Sequence, residues 1–469
     1  MTGRRANGTR RMLRRARRIH FVGIGGIGMS GIAEVLFNLK FDVTGSDIAE
    51  SPITERLSSL GISVKTGHDA SHVAGADAVV VSSAIRADNA ELAAAREAGI
   101  PVIPRSDMLG ELLRMKTGIA VAGAHGKTTT TSMAAAVLEH AGLDPTVVVG
   151  GRVKSRGSNV RLGKGEYLVA EADESDGNFV RLSPAVAIIT NIDLEHLDFY
   201  GGLEQIYEAF VAFARRVPFN GPVVLCVDDP HIRAIMPRID RRIVSCGTGE
   251  DAEVRGSIEE ESPAGTLFSV SVRGEKRARV RLRLPGRHNV RNALCVFGLA
   301  EELEIDAATV RDALEEFQGV ARRFEVKGER DGVLYVDDYA HHPTEIAAVV
   351  QAARQAYDRR LVVVFQPHRY TRTRDLHERF SGCFAAADET IVTGIYAAGE
   401  APIPGVTAEL IYRAARRGGA RVTYIPDRED LRPALGELLR PGDLVLTLGA
   451  GDIYRLAEQI LAGEGKGSG

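Results

Sequence analysis

The chain has 469 residues, 44% of them hydrophobic and 26% charged, with a formal net charge of -3. This is a globular balance with length for about three domains of roughly 150 residues, and nothing global draws it to nucleic acid or an anionic membrane. No apolar run reaches the roughly 18 to 20 residues of a membrane span, and Cys226, Cys246, Cys295 and Cys383 lie apart without a C-x-x-C pair, which argues against a disulfide framework or zinc site and for a reducing cytoplasm.

The N-terminus carries Arg4, Arg5, Arg10, Arg11, Arg14, Arg15, Arg17 and Arg18 but lacks the apolar core of a secretory signal. Runs of like charge are usually solvated, so the segment reads as a disordered lead-in rather than a nucleic-acid arm, with Met12 an alternative start. From Ile19 onward, apolar runs of strand length alternate with helix-period segments, the pattern of parallel, doubly wound sheets. The first block has strands at 19–22, 42–44 and 78–81. After its first strand, Gly23-Ile24-Gly25-Gly26-Ile27-Gly28 fits G-x-G-x-x-G, a helical stretch follows at 30–39, and Asp47 ends the next strand. The physical content of that pattern is a diphosphate on a helix N-terminus, which a nicotinamide dehydrogenase and a UDP-sugar binder would both use.

The second block begins with a strand at 119–122 and continues with strands at 167–170, 186–189 and 223–225. Gly123-Ala124-His125-Gly126-Lys127-Thr128-Thr129 sits between the first of these and a helical stretch at 130–140. Glycines admit backbone N–H groups to phosphate oxygens, and the helix N-terminus adds partial positive charge. Lys127 suits the β/γ-phosphates and the Thr128 hydroxyl suits Mg²⁺. The spacer is shorter than in a full Walker A motif, yet the strand–loop–helix setting marks a nucleotide site rather than a glycine-rich turn. The next strand runs into Glu171-Ala172-Asp173-Glu174-Ser175-Asp176. Ligands of open α/β sheets bind at such strand ends, and carboxylate oxygens suit Mg²⁺; Glu171 is the first candidate ligand and Asp173 the second. The strand at 186–189 leads to Thr190-Asn191-Ile192-Asp193-Leu194-Glu195-His196, which makes His196 a candidate for a second metal. Two such ions would screen repulsion between ATP and an anionic acceptor. Residues 243–285 alternate polar and apolar and read as an antiparallel insertion or edge, followed by a helix at 288–302.

The third block begins near Arg322, with strands at 333–336, 361–365, 390–392 and 444–448. Asp337-Asp338-Tyr339-Ala340-His341-His342-Pro343 follows the first strand, and Pro343 suits the opening turn of a helix. Adjacent histidines rarely share a face, so a His–His metal pair is not expected. Phe365-Gln366-Pro367-His368-Arg369-Tyr370-Thr371-Arg372-Thr373-Arg374 follows the second strand, and its guanidinium forks suit a carboxylate or phosphate, unless they simply face solvent.

From about Ile19 nearly to the end, these blocks resemble the Mur ligase family of peptidoglycan synthesis. The resemblance rests on GIGGIGMSGIAE (23–34), GAHGKTTT (123–130), EADESD (171–176), HNVRNA (288–293), DDYAHHPTE (337–345), FQPHRYTRTRD (365–375) and GAGDI (449–453). Several ATP-using families share HGKTTT; the combined set is specific. It implies an α/β fold of three domains: a Rossmann-like N-terminal UDP-sugar domain at 1–116, a P-loop-type central ATPase sheet at 117–321, and a Rossmann-like C-terminal amino-acid domain at 322–469.

The resemblance further implies ATP-dependent joining of L-alanine to the carboxylate of UDP-N-acetylmuramate through an acyl phosphate, in the cytoplasm, with ATP and Mg²⁺. A monomer or homodimer is expected, without nucleic-acid or membrane partners. Gly25, Gly26, Gly28, Asp47, Ser82 and Ser83 would hold the UDP-sugar. Gly123, Ala124, His125, Gly126, Lys127, Thr128 and Thr129 would hold the ATP phosphates, with Asn289, Asn292, Arg323 and Asp338 near its base and ribose. Lys127, Glu171 and His196 would be catalytic, and Thr128, Glu171 and His196 would surround Mg²⁺. His342, Arg369 and Arg372 would hold the amino acid. Two features depart from the wider family: Glu195-His196 stands where Asp-His is usual, and no lysine occurs between Lys164 and Lys276. The second rules out the carbamylated lysine of sister ligases and agrees with the alanine-adding branch. The rival readings are a ligase adding a recycled tripeptide, a nicotinamide oxidoreductase built on residues 23–28, and a non-enzymatic nucleotide switch.

Overall fold

The computed structural model describes residues 16–82, 84–149, 160–196 and 199–463. The arginines up to Arg15, Met12, Ser83 and the glycine-rich tail beyond Gly463 lie outside the described residues. Three sheets organise the described chain. The first contains β1 (Arg18–Val22), β2 (Asp42–Asp47), β3 (Ser63–Thr66), β4 (Ala78–Val81) and β5 (Val102–Pro104). Its order is β3-β2-β1-β4-β5, with parallel pairing throughout. The order reverses beside β1, and such a switch point opens a crevice at the carboxyl ends of the strands. The glycine-rich turn of residues 23–28 leaves β1 at that point and enters helix Ile27–Asn38.

Polar residues as well as apolar ones stitch this sheet to its cover. Helix Ala90–Glu97 is capped by Asn89, whose side chain accepts from the backbone N–H groups of Glu91 and Leu92. Glu91 is fully buried. Its Oε2 lies 2.7 Å from His20 Nε2 and accepts from the Ser46 hydroxyl at 2.9 Å, while Oε1 lies 3.0 Å from His68 Nδ1 and 3.3 Å from His72 Nδ1. Burial alone would raise this carboxyl, but the bonds to His20, Ser46 and His68 outweigh it and hold it at about 2.

The second sheet contains β6 (Thr117–Ala122), β7 (Thr146–Val148), β8 (Val160–Arg161), β9 (Tyr167–Glu171), β10 (Val186–Ile189), β11 (Pro222–Cys226), β12 (Arg242–Gly247), β13 (Val254–Ser262), β14 (Gly265–Val272) and β15 (Glu275–Leu282). Its order is β15-β14-β13-β12-β11-β10-β6-β9-β7-β8. The central strand β6 is parallel to both neighbours, with Ala122 opposite Ile189 and Val121 opposite Glu171. One expectation is corrected here. The stretch from 243 was read as the start of an antiparallel insertion, yet β12 runs parallel to β11, Cys246 opposite Cys226. Val244 and Cys246 are buried, and Ser245 interrupts the apolar run because its hydroxyl accepts from the Glu253 N–H at 2.9 Å. That single polar residue gives a covered strand the alternation of an edge.

The third sheet contains β16 (Glu325–Arg330), β17 (Val333–Asp338), β18 (Arg360–Phe365), β19 (Glu389–Val392), β20 (Val422–Tyr424) and β21 (Asp443–Leu448), in the order β16-β17-β21-β18-β19-β20. Only β16 is antiparallel to its neighbour. Successive residues of a strand face opposite sides. Leu334, Val336, Leu361, Val363, Phe365, Leu444, Leu446 and Leu448 accordingly join one core, while Val333, Tyr335, Val362, Val364 and Val445 join another. A sheet covered on both faces needs continuous apolar strands, which is what the sequence supplies.

The chain packs as two compact units. One comprises the described residues up to Gly256 with Val270–Ala278 and Arg291–Leu314; the other comprises Ser257–Ser269, Arg279–Val290 and the described residues from Glu315 onward. No helix among the described residues is long and apolar enough to cross a membrane.

The carboxylate of Glu91 contributes stability that is complete above its ordinary value of 4.5 and lost as pH falls toward about 2. Glu91→Gln should therefore destabilise the protein at neutral pH, and its deficit should shrink as pH falls through that window. Urea denaturation of both proteins from pH 7 downward reads the difference; a deficit independent of pH would remove the charge from the account.

Candidate active site

Three loops leave the adjacent carboxyl ends of β9, β6 and β10, and the sheet register sets them side by side. After β6 comes the phosphate loop, entering helix Lys127–His140 with Gly126 as N-cap at φ 80°. Its shape is fixed from outside. The Asn191 side chain accepts from the His125 N–H at 2.8 Å and donates to the His125 carbonyl at 2.9 Å, and the Thr190 hydroxyl donates to the same carbonyl at 2.6 Å. His125 Nε2 lies 3.1 Å from Asp193 Oδ2. A Cβ on Gly123, at φ 135°, would overlap the Thr190 hydroxyl, and one on Gly126 would come within 2.7 Å of Asn292 Oδ1. Both glycines therefore serve close approach as well as backbone freedom, and Asn292 stands beside the loop. Thr129 is buried in the first turn of the helix.

Lys127 donates to the carbonyls of Gly123 at 2.6 Å and Ala124 at 3.1 Å, and to Glu174 Oε1 at 2.8 Å. Burial opposes its charge, but Glu174 and Asp173 outweigh burial and raise its pKa, so it is an ammonium. In the loop after β9, Asp173 accepts from the Ser175 N–H at 3.1 Å and pairs with Arg105 at 3.5 Å. Burial acts to raise its carboxyl, and Lys127, Ser175 and Arg105 together more than offset it. β9 ends at Glu171, so the strand geometry that would align Glu171 with Asp173 stops there. In the loop after β10, His196 adopts φ 55°. Its Nε2 lies 3.6 Å from Glu174 Oε1 and 3.8 Å from Glu195 Oε2. Burial alone would lower this imidazole; the two carboxylates raise it.

Glu174, Glu195 and His196 offer three donor atoms within 4.8 Å of one another. Glu174 Oε2 is buried without a hydrogen-bond partner among the described residues. Two carboxylates and an imidazole in one small space fit a divalent cation. His196 was anticipated in this role and Glu195 was noted beside it. Glu174 was visible only as one acid in a run of four, because nothing in a sequence tells which acid turns inward.

The turn after β1 behaves as its glycines require. Gly23 and Ile24 donate to the Ser46 carbonyl, both at 2.9 Å, and Gly25 N–H donates to Asp47 Oδ2 at 2.7 Å. A Cβ on Gly25 would approach Asp47 Oδ2 to 2.8 Å, and one on Gly28 would approach Arg105 Nη1 to 2.8 Å. Gly26 caps the helix. The Ser82 hydroxyl, at the end of β4, accepts from the Ala84 N–H at 3.3 Å.

The residues read from the third block gather in the second unit. The buried Asp338 accepts from the N–H groups of Phe324 and Ala340, each at 2.7 Å, and burial lifts its carboxyl to about 6. Arg323 lies over the Tyr339 ring and 3.6 Å from Glu345. The Asn289 side chain donates to the Pro285 carbonyl at 2.8 Å. His342 is buried and precedes Pro343, the first residue of helix Pro343–Ala356; Glu345 accepts from the N–H groups of His341 and His342. Burial drives the His341 imidazole well below its usual range, and takes His368 to about 4 with the help of Arg372 and Arg369. His368 stacks on Tyr396, with ring centres 5.7 Å apart, and lies 3.4 Å from Arg372. Arg369 has φ 69°, and its N–H is tied to the Tyr396 carbonyl at 2.9 Å. An L-residue there stores strain, a mark of functional loops. Arg322, which opened the block in the sequence, proves to be a hub: it pairs with Asp337 at 3.0 Å, donates to the Gly449 and Gly451 carbonyls, and lies over Tyr339 and Tyr454.

Comparison with known proteins places these features in context. Residues 18–117 match the model of the Mur ligase family, catalytic domain; residues 121–300 match the Mur ligase middle domain; residues 322–451 match the Mur ligase, glutamate ligase domain. The UDP-N-acetylmuramate–L-alanine ligase of Trichlorobacter lovleyi is 52% identical over 447 residues, covering 95% of this chain and 98% of that protein. The crystal structure of the UDP-N-acetylmuramate-alanine ligase of Thermotoga maritima aligns at a TM-score of 0.77 with 33% identity, covering 95% of this chain and all of that one. A murein peptide ligase of Psychrobacter arcticus aligns at 0.69 with 25% identity, covering 95% and 98%.

Asn191 exchanges two hydrogen bonds with one residue of the phosphate loop, so Asn191→Ala should cost about 1–3 kcal/mol. The His125 amide should exchange with solvent faster in that variant, as read by hydrogen exchange; unchanged protection would mean that the loop holds its shape alone.

Proposed function

The chain belongs to the Mur ligase family, and from that membership we infer its reaction. It is an ATP-dependent ligase that joins L-alanine to the carboxylate of UDP-N-acetylmuramate, a step of peptidoglycan precursor synthesis. The observation that carries this reading is a complete set of ligase features on one chain. Its phosphate loop, with Lys127 at a helix N-terminus, lies in a sequence about half identical to alanine-adding ligases over nearly their full length. The tripeptide-adding and nicotinamide readings are not favoured; the second also leaves Lys127 and its loop without a purpose.

For the chemistry, the UDP-N-acetylmuramate carboxylate attacks the γ-phosphorus of ATP, the bond to ADP breaks, and an acyl phosphate forms. The alanine amine then attacks the carbonyl carbon, phosphate departs, and the nitrogen gives up its proton. The protein's part is positioning and charge stabilisation. Backbone N–H groups of Gly123 to Thr129 cradle the phosphates, and the Lys127 ammonium follows charge as it shifts toward ADP. Asn289, Asn292, Arg323 and Asp338 hold the base and ribose. Gly25, Gly26, Gly28, Asp47, Ser82 and Ser83 hold the UDP-sugar, where a diphosphate meets a helix N-terminus. His342, Arg369 and Arg372 hold L-alanine, the guanidinium groups suiting its carboxylate. Thr128, Glu171 and His196 would hold Mg²⁺, with Glu174 and Glu195 as further acid donors; when bound, the ion would screen repulsion between triphosphate and acceptor carboxylate. The domains are taken as 1–116, 117–321 and 322–469. The four cysteines are buried and not bridged to one another, which supports a cytoplasmic location.

Lys127→Ala should lower turnover by at least about 10²-fold with the fold intact. Release of ADP and phosphate with UDP-N-acetylmuramate and each amino acid in turn is the deciding assay. Turnover without L-alanine dependence, or near-normal turnover in the variant, would overturn the reading.

A further inference from the structure

All three ammonium hydrogens of Lys127 are committed in this structure: two to carbonyls of its own loop, one to Glu174. The carbonyls belong to the loop that must embrace the phosphates. Glu174 is different, because it is an anion occupying a cation that the incoming phosphate also requires. Its carboxylate is 4% exposed, and the same Oε1 that accepts from Lys127 lies 3.6 Å from His196 Nε2. Its Oε2 has no hydrogen-bond partner among the described residues. The backbone beneath it is pinned, since the Tyr200 hydroxyl donates to the Glu174 carbonyl at 2.7 Å. The side chain can thus exchange partners while its loop stays in place.

We propose that Glu174 is a positioning residue that stands in for the terminal phosphate of the nucleotide. In the nucleotide-free protein it neutralises Lys127; when the triphosphate arrives, it yields the ammonium and turns to the side of Glu195 and His196. The proposal rests on the nucleotide reading of the phosphate loop and adds a coupling to it. Two anions cannot share one ammonium cheaply in a buried setting. Nucleotide binding is therefore resisted until a divalent cation accepts the displaced carboxylate. Part of the cation's effect on affinity then runs through Glu174, beyond chelation by the phosphates themselves.

The test is equilibrium binding of ADP and of a non-hydrolysable ATP analogue to the full chain, by calorimetry, in EDTA and in magnesium chloride. Wild type should bind weakly in EDTA and more tightly with magnesium. Glu174→Gln keeps the shape but removes the competing charge; it should bind the analogue in EDTA at least about fivefold more tightly than wild type, with a reduced gain from magnesium. Glu174→Ala should move in the same direction, which covers a glutamine that still accepts from Lys127. Thermal melting verifies that each variant is folded. A purely structural role predicts weaker binding in both buffers, and that result, or unchanged affinity in EDTA for both folded variants, overturns the proposal. Wild type that binds neither nucleotide in either buffer overturns the nucleotide reading itself, and the proposal with it.

Discussion

The site depends on one constraint: β6 is hydrogen-bonded between β9 and β10, parallel to both, so that three loops of different chemistry emerge together. The loop from β6 brings backbone donors and an ammonium, the loop from β9 brings carboxylates, and the loop from β10 brings an amide, two carboxylates and an imidazole. No loop is competent alone. The phosphate loop takes its form from Thr190 and Asn191, and Lys127 takes its charge state from Glu174 and Asp173. Strand register, a property of backbone hydrogen bonds, thereby brings these charges together.

Burial does the rest of the electrostatic work, with opposite outcomes at neighbouring groups. Acids facing Lys127 and His196 shift both groups upward, whereas burial and neighbouring guanidinium groups shift His341 and His368 downward. The same residue type is thus shifted up at one position and down at two others. For an amine-consuming ligase that division is useful: the Lys127 ammonium stands in the loop assigned to the phosphates, and neutral imidazoles stand among the arginines assigned to the amino acid.

Much of this was legible in the sequence because it followed from local rules. Continuous apolar runs gave the doubly covered strands of the third sheet, and glycine spacing gave the turns at Gly23 and Gly123. Pro343 marked a helix start, and Asp47 is bonded to the turn it was expected to accompany. What stayed hidden was non-local. Glu174 could not be singled out from Glu171, Asp173 and Asp176, since its role comes from a loop turn that brings it to Lys127. The parallel pairing of β12 was masked by Ser245, whose partner lies eight positions away. Nothing in the sequence singles out Glu91, and only the packing of Ala90–Glu97 against His20, His68 and His72 makes it a buried hub.

The third sheet carries a further consequence in its strand order. β21, the last of the described strands, lies between β17 and β18, so the middle of the sheet is filled by residues made after the strands on either side. Until Asp443–Leu448 leave the ribosome, the strands translated before them have no neighbour to pair with at the centre, and their apolar faces stay exposed. Folding of this part of the protein is therefore tied to the translation of β21. A chain cut short before β21 would present open strand edges, the state in which chaperones engage nascent proteins and aggregation begins.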